Sequence, residues 1–181
     1  MKFLETPLPG AYVIELEELR DDRGFFARAF DANEFASRGL NPGVAQCNMS
    51  YNLRAGTLRG FHYQEMPAAE SKLVRCVRGA VHNVIVDVRK ESPTYLQHAA
   101  VELSAANRRA LYIPALCASA MQTLTDDVEL YYQTGEAYTP SAERGLRHDD
   151  PRLGVTWPLP VRELSAKDAG WPLIEDGALF T

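Results

Sequence analysis

The sequence predicts an all-β protein, an antiparallel sandwich or jelly roll. Short runs of alternating apolar and polar residues recur at roughly ten-residue spacing, turn-forming residues separate them, and helical periodicity is almost absent. At 181 residues, 46% of them hydrophobic, the chain has the length of one domain and enough apolar side chains for a core.

The elements follow in order. Ala11 to Leu16, after Pro7 and Pro9, is one strand in an N-terminal arm of residues 1–20. Asp21-Asp22-Arg23-Gly24 is a turn leading into an aromatic run, and Ala32 to Arg38 is a short helix ended by Gly39 and Pro42. From Val44 the pattern is extended, with a turn at Gly56 and a strand carrying Arg59 and His62, which together predict a hairpin. Lys72–Asp87 predicts a second hairpin: two Val- and Ile-rich runs joined by Gly79-Ala80, a Gly-first pair suited to a type II′ turn. That pairing puts Lys72, Val74, Cys76, Asn83, Ile85 and Asp87 on one face, because side chains alternate along a strand. Tyr95–Leu103 is a further strand, and residues 104–110 turn into the strand that ends at Pro114. A third hairpin turns at Thr125-Asp126-Asp127 and places Ser119, Met121, Tyr132 and Thr134 together. Residues 138–181 form a Pro- and Gly-rich C-terminal extension.

Composition excludes several functions. With 19 Lys+Arg against 24 Asp+Glu, a net charge of -5 gives no general attraction for nucleic acid or an anionic membrane, although local arginines suit a small anionic ligand. No apolar run approaches the ~20 residues of a membrane span, and no signal peptide opens the chain, so a cytoplasmic protein is expected. Cys47, Cys76 and Cys117 are odd in number and lack C-x-x-C spacing. They predict reduced, mostly buried thiols rather than disulfides or a zinc site.

His62 is the first candidate for chemistry. A single histidine on a strand is ordinarily structural, but Tyr, Arg and Lys side chains able to line the same cavity would add an acid and electrophilic groups. A metal is the rival in a jelly roll. His62-Tyr63-Gln64 offers one imidazole where metal-binding barrels present two, and His82 points away from Lys72, so neither metal nor cofactor is expected. No G-x-S-x-G elbow is present, and no cysteine has an evident base.

The runs DDRGFF, LRGFHYQ, KLVRCVRGAVHNVIVDVRKESPTY, VELSAANRRALYIP, ERGLRHDDPRLGVTWPL and LSAKD, in this order, resemble the dTDP-4-dehydrorhamnose 3,5-epimerase family over nearly the whole chain. The resemblance implies a cupin double-stranded β-helix, the jelly roll, with a few short helices. It implies an isomerase of deoxysugar (rhamnose) biosynthesis that uses no metal and acts as a homodimer with N-terminal strands crossing between subunits. The substrate it implies is a dTDP-linked 4-keto-6-deoxyhexose, epimerised beside its ketone through an enolate. Carried over to this sequence, it makes His62 the base, Asp168 its orienting partner, Tyr132 the acid and Lys72 the group that stabilises the enolate oxygen. Arg23 and Arg59 are the implied diphosphate-holding arginines. Gln46 and Asn48 are polar ligand contacts, and Phe26 and Tyr138 aromatic ones.

The sequence also departs from the family. Asn83 stands where an aspartate is usual, Ser119 where a histidine is usual, and Arg28 where an acidic residue is usual. Asn83 and Ser119 fall on faces assigned to the cavity, which makes a coupled loss of one carboxylate–imidazole unit the expectation. Proton abstraction should persist with altered regiochemistry, at one of C3 and C5, or on another nucleotide ketosugar. Two rivals stand beside this reading: a non-catalytic nucleotide-sugar-binding cupin, and a ketoisomerase on the same scaffold.

Overall fold

The computed structural model describes residues 1–174; residues 175–181, with Phe180 and the end of the expected C-terminal extension, lie outside the described part. The strands are β1 (Lys2–Glu5), β2 (Tyr12–Glu15), β3 (Leu19–Asp21), β4 (Gly24–Phe26), β5 (Gln46–Asn52), β6 (Leu58–Gln64), β7 (Lys72–Arg78), β8 (Ala80–Asp87), β9 (His98–Ser104), β10 (Ala110–Ile113), β11 (Cys117–Thr123), β12 (Val128–Thr134) and β13 (Glu143–Gly145). Two short helices accompany them, α1 (Ala32–Ala36) and α2 (Ala166–Ala169). One sheet has the order β1-β2-β10-β7-β12-β5, and the other β13-β6-β11-β8-β9. Strands β3 and β4 pair only with each other. This is the expected jelly roll: two antiparallel sheets facing each other across a core.

The three predicted hairpins are corners instead. β5 and β6, β7 and β8, and β11 and β12 each divide between the two sheets. Sequence alternation reports that the chain reverses, but not which strand it then joins. At the central corner Gly79 has φ +73, and a Cβ there would lie 2.6 Å from Thr125 Oγ1 and 2.8 Å from Val128 Cγ2. Glycine is needed for both the left-handed backbone and the close approach of the neighbouring corner. Leu124 N donates to Ala80 O at 2.9 Å, joining the two corners.

The corners explain why the predicted grouping of side chains survives the loss of the pairing. Val74 and Cys76 from β7 meet Val81 and Ile85 from β8 across the interior, together with Leu111, Ile113, Met121 and Leu130. They face one another from opposite sheets rather than lying side by side on one. A second apolar cluster covers the outside of the five-stranded sheet, where Val84 and Val86 pack with Phe61, Leu146 and Leu153. A third sits under α1, where Phe35 packs with Ile14, Ala110 and Tyr112. Asp31 caps α1 by accepting from Asn33 N and Glu34 N at 3.0 and 3.2 Å, satisfying amides that the helix leaves free. The N-terminal residues lie along this chain's own larger sheet, β1 on β2 and β2 on β10. Of the thiols, Cys76 and Cys117 are buried and Cys47 is exposed.

Candidate active site

The site lies between the sheets, where β6, β7, β8, β11 and β12 present polar side chains in an otherwise apolar interior. A cavity of about 350 Å³ is lined by His62, Lys72, Tyr132, Gln46, Asn48 and Tyr138, among others. A second of about 180 Å³ shares Lys72 and Tyr132 with it and adds Arg59, Asn83 and Ser119. A third of about 330 Å³ shares His62 and Arg59 and runs along residues 163–168. The two larger volumes fall at the low end of the ordinary range of small-molecule sites, and the smallest lies below it.

His62 and Asp168 form a close polar contact at the centre. His62 Nε2 lies 2.6 Å from Asp168 Oδ1, with the histidine side chain 33% exposed and the aspartate 4%. The short helix α2 holds Asp168 in place: Ser165, its cap, accepts from Asp168 N at 3.0 Å. Gly60 N donates to Asp168 Oδ2 at 3.3 Å. Burial pushes the Asp168 carboxyl up, but the hydrogen bond and charge of His62, with the Gly60 and Ser165 contacts, outweigh it and leave the group below its ordinary value. The Asp168 carboxylate takes up the Nε2 side of the His62 ring, which leaves Nδ1 as the ring nitrogen open to a substrate.

Lys72 opens β7 with its ammonium held twice. Its Nζ donates to His62 O at 3.3 Å and lies 2.7 Å from Glu70 Oε1. Tyr132 enters from β12, in the sheet opposite His62. Arg59 Nε donates to Asn52 Oδ1 at 2.6 Å, which orients its guanidinium at the meeting of two cavities. Gln46 Oε1 accepts from Tyr138 N at 2.7 Å, and Tyr138 Oη donates to Glu143 Oε2 at 2.7 Å. Asn83 Nδ2 donates to Ser119 Oγ at 3.3 Å. The two residues suspected of a coupled change are therefore direct neighbours.

Two predicted site residues are not brought to these cavities. Arg23 sits at the turn of the β3–β4 hairpin with its side chain 90% exposed, paired to Asp21 Oδ2 at 2.5 Å. Phe26 is exposed on the same hairpin. The hairpin pairs with neither sheet, so within one chain nothing carries these side chains inward. Arg28 is likewise exposed and pairs with Asp31, away from the cavities. His82 packs edge-on against Trp157, as its predicted orientation away from Lys72 requires. Among the described residues, no three His, Cys, Asp or Glu side chains are grouped to hold a metal ion.

Sequence reasoning missed Glu70, Gln64 and Glu143. Gln64 is 2% exposed and spans the cavity floor, donating to Ala68 O at 2.8 Å and accepting from Thr139 N. Glu143 receives Tyr138 Oη and also pairs with Lys167. Their only sequence signal was position: Glu70 two residues before Lys72, Gln64 two after His62, and Glu143 at the head of the ERGL run.

Known proteins are similar to this chain in sequence and in fold. The sequence is 39% identical over 183 residues to the dTDP-4-dehydrorhamnose 3,5-epimerase of Salmonella typhimurium, covering 100% of this chain and 99% of that protein. The fold matches the crystal structure of the Bacillus anthracis dTDP-4-dehydrorhamnose 3,5-epimerase with TDP and PPi bound at a TM-score of 0.91 and 36% identity, over 96% of this chain and 99% of that one. It also matches ChmJ, a 3′-monoepimerase from Streptomyces bikiniensis in complex with dTDP-quinovose, at a TM-score of 0.85 and 35% identity, over 93% and 85% of the chains. The characteristic sequence pattern of the dTDP-4-dehydrorhamnose 3,5-epimerases matches residues 5–176. With a two-sheet jelly roll, a histidine–aspartate pair between the sheets and a match along nearly its full length, this chain belongs to the dTDP-4-dehydrorhamnose 3,5-epimerase family.

Proposed function

We propose that the protein epimerises a dTDP-linked 4-keto-6-deoxyhexose at carbon beside the ketone. One observation carries this reading: His62 and Tyr132 line a single cavity from opposite sheets, with Asp168 behind the histidine and Lys72 beside both. A C–H next to a carbonyl loses its proton to His62 Nδ1. The electron pair moves onto the C4 oxygen, where the Lys72 ammonium stabilises the enolate. Tyr132 then delivers a proton from the other face, the carbonyl re-forms and the carbon is inverted. Two walls bearing a base and an acid are what inversion needs; one group alone returns the proton to the face it left. In this reading Arg59 holds the diphosphate, and Gln46, Asn48 and Tyr138, which line the cavity, contact the sugar and nucleotide.

The Asn83–Ser119 contact supports a narrower outcome, inversion at one of C3 and C5. A neutral amide and hydroxyl replace a unit that would carry charge, beside the same lysine and tyrosine. The similarity to a 3′-monoepimerase makes this a specific alternative to double inversion. In deuterated water with dTDP-4-keto-6-deoxyglucose, NMR counts exchange at the two carbons separately. Exchange at one carbon is expected, and equal rapid exchange at both defeats the narrowed specificity. A His62→Asn variant that binds dTDP while exchange is lost separates the enzyme from a non-catalytic sensor. A ketoisomerase is recognised by a product with a displaced carbonyl.

The homodimer belongs to the same proposal. The β3–β4 hairpin stands off both sheets and exposes Leu19, Phe25 and Phe26, a patch that favours covering by a second copy. In such a dimer Arg23 and Phe26 reach the other subunit's cavity. A charged nucleotide sugar suits a cytoplasmic enzyme, and no helix among the described residues is long and apolar enough to cross a membrane.

A further inference from the structure

The loop between β6 and β7 puts an additional carboxylate into the cavity. Glu70 Oε1 lies 2.7 Å from Lys72 Nζ, with the two side chains only 8% and 15% exposed. The loop that carries it is tied down on several sides. Gln64 Nε2 donates to Ala68 O at 2.8 Å, Gly135 N donates to Ser71 O at 2.8 Å, and Arg144 of β13 pairs with Glu65. From the other side Lys72 Nζ donates to His62 O. The ammonium is thus fixed between the strand that carries the base and a carboxylate that has little freedom to move.

Fold stability gives no reason for this pair. Taking two charges out of water costs as much as their attraction returns, and an apolar pair would fill the space as well. Function does give a reason, because a cation aimed at a developing enolate is effective only when its position is set before the reaction begins. The other titratable side chains lining these cavities are His62, Tyr132, Tyr138 and Glu143 in the first and Arg59 in the adjoining one, where Asn83 and Ser119 are neutral. Asn83 is neutral and cannot serve as a counter-ion to Lys72.

Resting on the epimerase reading above, we infer that Glu70 is the positioning residue for Lys72 and supplies, from the loop, the counter-charge that no carboxylate at position 83 supplies from the sheet. Glu70 does not touch the reacting atoms. It holds the ammonium so that its free hydrogens point into the cavity toward the C4 oxygen.

The test combines E70Q, E70D, K72M, E70Q/K72M and E70Q/N83D, each checked for folding by thermal melting and read by deuterium exchange into substrate. E70Q should slow exchange about 10- to 100-fold at unchanged KM, the loss that follows a small misplacement of a reacting group. E70D should recover part of the rate, and N83D should recover part of it in the E70Q background. E70Q should add nothing once Lys72 is gone. Wild-type exchange in E70Q, or losses that multiply in E70Q/K72M, overturn the inference. A second measurement does not depend on turnover: NMR of the Lys72 ammonium in 15N-lysine-labelled protein, where E70Q should move the signal and an unmoved signal overturns the inference. If the wild-type protein exchanges no ketosugar, the epimerase reading fails, and the ammonium signal still decides whether Glu70 holds Lys72.

Discussion

His62 Nε2 and Asp168 Oδ1 meet at 2.6 Å although 106 residues separate them in the chain. The contact ties the strand that carries His62, the proposed base, to the short helix near the end of the described chain. It sets the ring orientation. A D168N variant keeps the shape but loses the anion, so exchange should fall about 10²- to 10⁴-fold, the scale of a positioned general base. Calorimetry should show dTDP binding little changed. Full exchange in D168N would remove Asp168 from the mechanism.

Tyr132 is expected to act after the proton has left. In Y132F, His62 can still remove and return the proton on its own face. Deuterium should therefore continue to enter substrate while inverted product falls by about 10²-fold or more. Parallel loss of exchange and inversion would show that the phenol is needed for abstraction as well.

Restoring charge at the Asn83–Ser119 contact should change which carbon reacts. The double variant N83D/S119H rebuilds a carboxylate and an imidazole as neighbours, and the ratio of C3 to C5 exchange should move. N83D alone buries a carboxylate beside a hydroxyl at a position 1% exposed, so it should lower the melting temperature. An exchange ratio unchanged in the double variant would detach regiochemistry from this pair.

Acid stability should depend on Asp87, which is 0% exposed and accepts from Arg89, Ser92 and Thr94. Burial pushes its carboxyl up, but these three partners hold it down at about 2. A depressed value means that the stabilisation is complete above the ordinary carboxylate value of about 4 and is lost as pH falls toward 2. The contribution is about 2 kcal/mol at neutral pH. D87N should lower stability at pH 7 by more than at pH 2.5, as followed by urea melts at both pH values. An equal loss at the two would place the effect in packing instead.

Gly145 lies opposite His62 in the β13–β6 ladder. A Cβ there would lie 2.1 Å from Trp171 Cε2. G145A should displace the indole, change tryptophan fluorescence and cost about 1 to 3 kcal/mol, as overpacking does. A melting temperature equal to wild type would mean that the indole has room to move.

The two-sheet class was legible from strand spacing, and the His62–Asp168 contact from the resemblance carried by the LRGFHYQ and LSAKD runs. Local alternation placed Lys72 with Asn83, and Ser119 with Tyr132, and each pair does line one cavity. The pairing behind that grouping was wrong, because an inward-facing pattern looks the same whether two strands lie side by side or oppose each other across a core. Arg23 and Phe26 were assigned to the site only through resemblance, and the structure leaves both exposed on a hairpin outside the cavities. Glu70 was invisible because an acidic residue in a loop reads as solvated until the fold encloses it.

The corner at Gly79 has a kinetic consequence. Because the chain changes sheet there and at its two counterparts, ladders join distant segments: Ala110 pairs with Ile14, and Thr134 with Gln46. Such long-range closures are slow, on the order of milliseconds to seconds for all-β domains. In a refolding experiment turnover should therefore return only with the last phase, after backbone order is regained, and a nascent chain that has not yet synthesised β12 holds His62, the proposed base, without Tyr132 opposite it.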